Sequence, residues 1–198
     1  MVDITKITGR LSNLMFITAA HYARCRKEGI HFFVQDEKYF EEYKDEIKQI
    51  FSEGIVPNSI DRVAIHRRLT DYVGNSFYVD LGHHEHDKLE DNYFVRAMAE
   101  FPPDTKFLVF SDDIEKAKQE PMFQGDRFEF SEGKSAEEDM NLGASCKHLI
   151  GSNSSFSWFM AWLGEYPGRK MIFPKQWFAD PENEKYIGIP NREGWIRI

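Results

Sequence analysis

Ile65-His66-Arg67-Arg68-Leu69-Thr70-Asp71-Tyr72-Val73 is the stretch on which the reading of the fold turns. It continues the apolar run Val63-Ala64-Ile65, which reads as the end of a buried strand. A His, two Arg, a Thr and an Asp follow at that strand's C-terminal end, before Gly74. In open α/β sheets, ligands bind outside the carboxyl ends of the strands. An Arg fork there suits phosphate or carboxylate, because guanidinium matches either group with two parallel hydrogen bonds. The same residues also suit a strand-edge ion pair such as Arg68 with Asp71, and these nine positions alone do not separate the two readings.

Two later stretches repeat the arrangement. Phe107-Leu108-Val109-Phe110 runs into the polar turn Ser111-Asp112-Asp113, with Ile114 and Glu115 opening a helix. Cys146-Lys147-His148-Leu149-Ile150-Gly151 runs into Ser152-Asn153-Ser154-Ser155, with Phe156-Ser157-Trp158 as a helix start. Apolar strands alternating with helical patterns predict an α/β fold with a doubly wound sheet. Helices are expected over 14–27, 37–51, 89–101 and 135–144, and strands over 31–34, 62–66, 106–110, 127–130, 148–151 and 170–173. Gly54 to Asn58, with Pro57, is the best linker. The expected division is 1–58 as a reduced αβ segment and 59–198 as a Rossmann-like nucleotide-binding domain. Asp112 with Glu115, and Ser135 with Glu138, fit capping boxes. The tail to Ile198 is expected to act as a cover.

The three strand ends resemble, in order and wording, the motifs of the α-1,2-fucosyltransferases (glycosyltransferase family 11). The family pattern is His-x-Arg-Arg-x-Asp-Tyr, then Phe-Ser-Asp-Asp-Ile-Glu, then Asn-Ser-Ser-Phe-Ser-Trp followed by Ala-Trp-Leu. Here these fall at His66 to Tyr72, Phe110 to Glu115 and Asn153 to Leu163. Gly9-Arg10-Leu11-Ser12-Asn13-Leu14-Met15-Phe16 is similar to the family's Gly-x-Leu-Gly-Asn-Gln-Met-Phe, with Ser12 and Leu14 departing from it. Phe173-Pro174-Lys175-Gln176-Trp177-Phe178 also matches. The second Arg of the first motif is Leu69 here, and the segment between the glycine turn and that motif is much shorter than in full-length members.

The resemblance implies a GT-B-like C-terminal half and inverting transfer of L-fucose from GDP-fucose to a sugar hydroxyl, usually a galactose 2-OH. It implies no cofactor and no metal. Arg68 would stabilise charge on the β-phosphate of the leaving GDP, with His66 bonding the donor or orienting the loop and Asp71 as base or buttress. Ser111, Asp112 and Asp113 would face the guanosine part. Asn153, Ser154, Ser155 and Phe156 would hold the diphosphate, with Asn13 nearby. Leu69, Ser12 and the shortened segment keep two alternatives open: a non-catalytic GDP-sugar-binding module, and an α/β subunit completed by a partner.

Bulk properties narrow the classes. A net charge of −8 over 198 residues argues against a nucleic-acid binder. Cys25 and Cys146 make no disulfide framework. Met1 to Thr5 have no signal-peptide layout, so a bacterial-type cytoplasmic enzyme is expected, with peripheral contact at the inner membrane face left open. The expected partners are GDP-fucose and an oligosaccharide or glycolipid acceptor, with no nucleic acid and oligomerisation left open. His83-His84-Glu85-His86-Asp87 carries metal-ligand residue types, but adjacent ligands on a loop lack the helix-borne spacing of a closed zinc site.

Overall fold

The computed structural model describes residues 44–70, 74–82, 84, 86–186 and 193–198. The glycine turn with Asn13, the elements expected over 14–27 and 31–34, and Asp71, Tyr72, Val73, His83 and Glu85 lie outside the described residues.

Strand β1, Ile60–Arg67, is the centre of the sheet. Val63 and Ile65 face one apolar cluster and Ala64 the other. Both faces are covered, which is why the strand reads as a continuous apolar run rather than an alternating one. Five more strands join it: β2 (Phe107–Ser111), β3 (Phe128–Phe130), β4 (Cys146–Gly151), β5 (Met171–Phe173) and β6 (Ile196–Arg197). Their order is β3-β2-β1-β4-β5-β6, and every pairing is parallel. This is the doubly wound α/β arrangement, Rossmann-like, and the strand order reverses between β1 and β4.

The helices divide as the reversal requires. Right-handed crossovers leading one way from the centre lie on one face, and those leading the other way lie on the opposite face. Helix α1 (Lys44–Phe51), α4 (Ala136–Ser145) and α5 (Ser155–Leu163) pack on one cluster through Ile47, Met140, Ala144 and Trp158 to Leu163. Helix α2 (Tyr93–Met98) packs on the other with Met122 and Phe123. The short α3 (Ile114–Ala117) follows β2. Ile47 is fully buried, and Lys48 pairs with Glu165 at 3.3 Å, so α1 shares the core of β1 and α5.

Several expectations shift, each for a local reason. The helix expected over 89–101 is a 3-10 turn, Leu89–Asp91, followed by α2. Asn92 interrupts it: its side-chain oxygen accepts from Phe94 N, and its amide donates to the carbonyls of Leu81 and Gly82. A side chain that bonds the backbone this way competes with the helix ladder. The capping box expected at Asp112 is absent, because Asp113 caps α3 by accepting from Lys116 N. The box at Ser135 and Glu138 is present in both directions. The tail does more than cover, since its Ile196–Arg197 adds the sixth strand. Arg169, buried, donates to the carbonyls of Ala144 and Gly143 and so satisfies the C-terminal end of α4.

Candidate functional site

At the reversal, His66 of β1 stands beside Gly151 of β4, and Ser152 N donates to the His66 carbonyl at 3.1 Å. Only glycine fits at 151, because a Cβ there would meet the Phe173 ring at 2.4 Å. From the other face, Tyr93 Oη donates to the carbonyls of Gly151 and Ile172, which fixes the ends of β4 and β5. The chain after Gly151 turns into α5, whose first turn lies over the end of β1.

His66 is 4% exposed. Its Nδ1 lies 2.6 Å from Ser157 Oγ and 3.3 Å from Ser152 Oγ, and the two hydroxyls are 3.2 Å apart. The Phe156 ring covers it at 4.9 Å between centroids. Burial pushes the imidazole pKa down to about 4, against the opposing pull of Asp112, with Arg67 adding to the depression. His66 is therefore neutral at physiological pH. The unfolded chain takes up this proton near pH 6.5 and the folded chain only near pH 4. The stability tied to the neutral ring is thus complete above pH 6.5 and lost as pH falls toward 4. The expected loss is up to about 3 kcal/mol. Urea unfolding at pH 7.5 and 4.5 tests this, and in His66→Gln the pH dependence should shrink by most of that amount.

The two arginines point to different places. Arg67, 2% exposed, turns into the cluster around Phe94, 5.5 Å from that ring. Its Nε and Nη2 donate to the Glu120 carboxylate at 2.8–3.1 Å, a bidentate buried pair. Arg68 stays at the strand end, with Nη1 3.1 Å from Asp112 Oδ2. The Asp112 carboxylate also accepts from the backbone N–H groups of Leu69 and Thr70 and from the Thr70 hydroxyl. One carboxylate just past β2 thus gathers the 68–70 turn that follows β1. Ser111 and Asp113 serve the turn between β2 and α3: Ser111 Oγ accepts from Asp113 N, and Asp113 caps the helix.

At the start of α5, Ser154 is the N-cap, accepting from Phe156 N at 3.3 Å. Asn153, 1% exposed, donates to the carbonyls of Val79 and Trp177 at 3.1 and 2.8 Å. It fastens two loops to the helix start. Ser155 and Phe156 are half-buried. A helix beginning at the switch point directs its N-terminal turn and a positive dipole end at the crevice.

Residues 5–198 match the family model described as Glycosyl transferase family 11. The chain belongs to glycosyl transferase family 11. It is 34% identical over 182 residues to an "Alpha-1,2-colitosyltransferase" of Escherichia coli, an overlap that covers 84% of this chain and 61% of that protein. It is also 26% identical over 149 residues to the "O-antigen biosynthesis glycosyltransferase WbnK" of Escherichia coli, covering 73% of this chain and 47% of that one. The chain spans about half to three-fifths of the length of these relatives. None of the solved structures matches significantly.

In this family member the three motifs end on one edge of one sheet. His66, Arg68, Asp112, Asn153 and Ser154 lie at neighbouring strand ends, where Arg68 pairs with Asp112, His66 contacts Ser152 and Ser157, and Asn153 holds two loops, while Asp71 and Asn13 lie outside the described residues. Sequence reading did not foresee that Ser152 and Ser157 close around His66, or that Glu120 pairs with Arg67. For Ser157 a signal existed: it sits three residues after the cap, and helical side chains lean back over the preceding turn. For Glu120, 53 residues from Arg67, there was none. Among the described residues, no group of three or more His, Cys, Asp or Glu side chains could hold a metal ion, and no helix is long and apolar enough to cross a membrane.

Proposed function

We propose that this chain binds GDP-fucose, or the GDP conjugate of a related deoxy sugar, and takes part in transferring that sugar to a galactoside 2-hydroxyl with inversion. The observation that carries this reading is the switch point, where Arg68, the neutral His66 and the start of α5 meet between β1 and β4. The family membership and the α-1,2-colitosyltransferase relative support a sugar of the deoxy class and the α-1,2 linkage.

In this reading the diphosphate lies across the N-terminal turn of α5, and Arg68 faces the β-phosphate. As the glycosidic bond lengthens, positive charge grows on the sugar ring and negative charge on the leaving GDP oxygen. A guanidinium already aimed at that oxygen stabilises it without reorganising. Asp112 orients Arg68 by pairing with one of its nitrogens and by fixing the backbone on both sides of Leu69. In the tautomer with its single proton on Nε2, His66 accepts from Ser157 at Nδ1 and offers Nε2–H to the ligand. The nucleoside extends toward the end of β2, near Asp113. No metal is needed, since the arginine and the helix start supply the positive charge.

A second reading, a GDP-sugar-binding module that does not catalyse, is favoured by one observation. Leu69 stands where the motif's second Arg is expected and is fully buried, so it offers no phosphate contact. A thermal-shift panel of GDP, GDP-fucose, GDP-mannose and UDP-sugars tests the common part of both readings. GDP and GDP-fucose should raise the melting temperature and UDP-sugars should not. Stabilisation at a ligand concentration of 100 Kd is expected to be about 2.7 kcal/mol. Equal shifts with UDP- and GDP-sugars, or none, would overturn the guanosine assignment. Turnover of GDP-fucose then separates enzyme from module.

A further inference from the structure

Loop residues 77–79 and 177–179 form a short antiparallel ribbon beyond the end of β5. Tyr78 bridges Phe178, Val79 N donates to Trp177 O, and Ala179 N donates to Phe77 O, each at 3.0 Å for the two bonds. Three rings gather on it. Phe77 lies 5.1 Å from Tyr78 and 4.8 Å from Phe178, and Tyr78 stacks on Phe178 at 5.8 Å. Phe77 is 48% exposed, an unusual cost for a phenyl ring on a loop. Asn75 fixes its backbone by accepting from Phe77 N at 2.9 Å. Asn153 holds the base of the ribbon through Val79 O and Trp177 O. A buried side chain adjoining the cap of α5 thus sets where the rings stand.

We propose that Phe77, backed by Tyr78 and Phe178, is a stacking platform for the acceptor galactoside. This deepens the proposed function and rests on it. Sheet order selects the occupant. Along the C-terminal edge run β2 with Asp113, β1 with Arg68, β4 with the start of α5, and then β5 leading into the ribbon. A donor with its nucleoside over β2 and its diphosphate over β1 and β4 directs its sugar toward β5. Three strand spacings, about 14 Å, separate the first and last of these positions, which is the scale of an extended nucleotide sugar. The acceptor must meet the sugar from beyond that end, where the platform lies.

The chemistry fits the same occupant. The axial 4-hydroxyl of a β-galactopyranoside leaves the C–H bonds of C3, C4 and C5 together on one face. That apolar face is about the size of one phenyl ring, and its slightly positive hydrogens match the negative face of the ring. A protein partner is a poorer match, because a stable interface needs about 800 Å² on each side. Among the described residues, the other exposed large apolar side chains, Ile50, Val56 and Leu89, sit on α1, the turn before β1 and the 3-10 turn.

The test compares wild type, Phe77→Ala and Phe77→Trp in two assays. Saturation-transfer NMR with methyl β-galactopyranoside reads the platform without any donor. Signal is expected in wild type and Phe77→Trp, and about tenfold weaker binding in Phe77→Ala. Transfer assays should show the acceptor KM raised about tenfold in Phe77→Ala, with donor KM and acceptor-free GDP-fucose hydrolysis unchanged. Galactoside binding undiminished in Phe77→Ala overturns the platform, and so does a change confined to donor KM or hydrolysis. Absence of GDP-fucose binding and hydrolysis in wild type overturns the transferase reading instead, and the NMR arm then judges the platform alone.

Discussion

Arg68→Ala is expected to lower transfer from GDP-fucose by about 10²–10³-fold in kcat, the cost of removing one preorganised donor from a developing oxyanion. The fold should survive the change. Arg68 is partly exposed at the strand end, and Asp112 keeps its bonds to Leu69 N, Thr70 N and the Thr70 hydroxyl. Arg68→Lys should recover only part of the activity, since an ammonium keeps the charge but not the planar fork. Asp112→Asn adds a second check. If Asp112 acts through Arg68, the substitution lowers kcat, while the Arg68→Ala/Asp112→Asn double variant is no worse than Arg68→Ala alone. Steady-state kinetics on the four proteins measure this, and an Arg68→Ala enzyme with wild-type kcat would remove Arg68 from the chemistry.

Arg67→Met is expected to do the opposite, lowering stability by about 3–5 kcal/mol. Its guanidinium is almost fully buried, and Glu120 is left with a mostly buried carboxylate and no opposite charge. Removing both charges should be far milder. Arg67→Met/Glu120→Leu is predicted to regain most of the lost stability, because two apolar groups of similar shape replace a desolvated pair. Urea unfolding of wild type, both single variants and the double variant gives the coupling energy directly. A near-zero coupling would mean that Arg67 is held by Phe94 and the Arg68 carbonyl rather than by Glu120. Adjacent residues of one motif thus do separate work: Arg67 ends β1 and turns into the cluster around Phe94, while Arg68 opens the turn that follows.

That divergence also shows what the sequence made legible. The run from Val63 to Ile65 announced the end of a buried strand, but not that Arg67 and Arg68 would part. The strand ends after Phe110 and Gly151 announced polar turns at the same edge of a sheet, and parallel pairing brought them together. Local caps were readable where a single side chain decides them, as at Ser135. They misled where two candidates stood side by side, as with Asp112 and Asp113. There, Asp112 was drawn instead to Leu69 and Thr70 by a pairing between strands that no local pattern encodes. The same limit hid the pairing of Glu120, the loop contacts of Asn153 and the sixth strand. Each depends on contacts between segments far apart in sequence: 53 residues from Glu120 to Arg67, and 74 from Asn153 to Val79. Ile196–Arg197, only two residues long, has no periodicity to read.

The proposed function places one guanosine diphosphate in the crevice where the strand order reverses. Chemical-shift mapping of the ¹⁵N-labelled chain titrated with GDP tests it most directly. The amides of Arg68 to Thr70, Ser111 to Asp113 and Ser152 to Ser157 should move together, with one saturation curve. Shifts scattered over other elements, or none at GDP concentrations that saturate a nucleotide-binding enzyme, would contradict it.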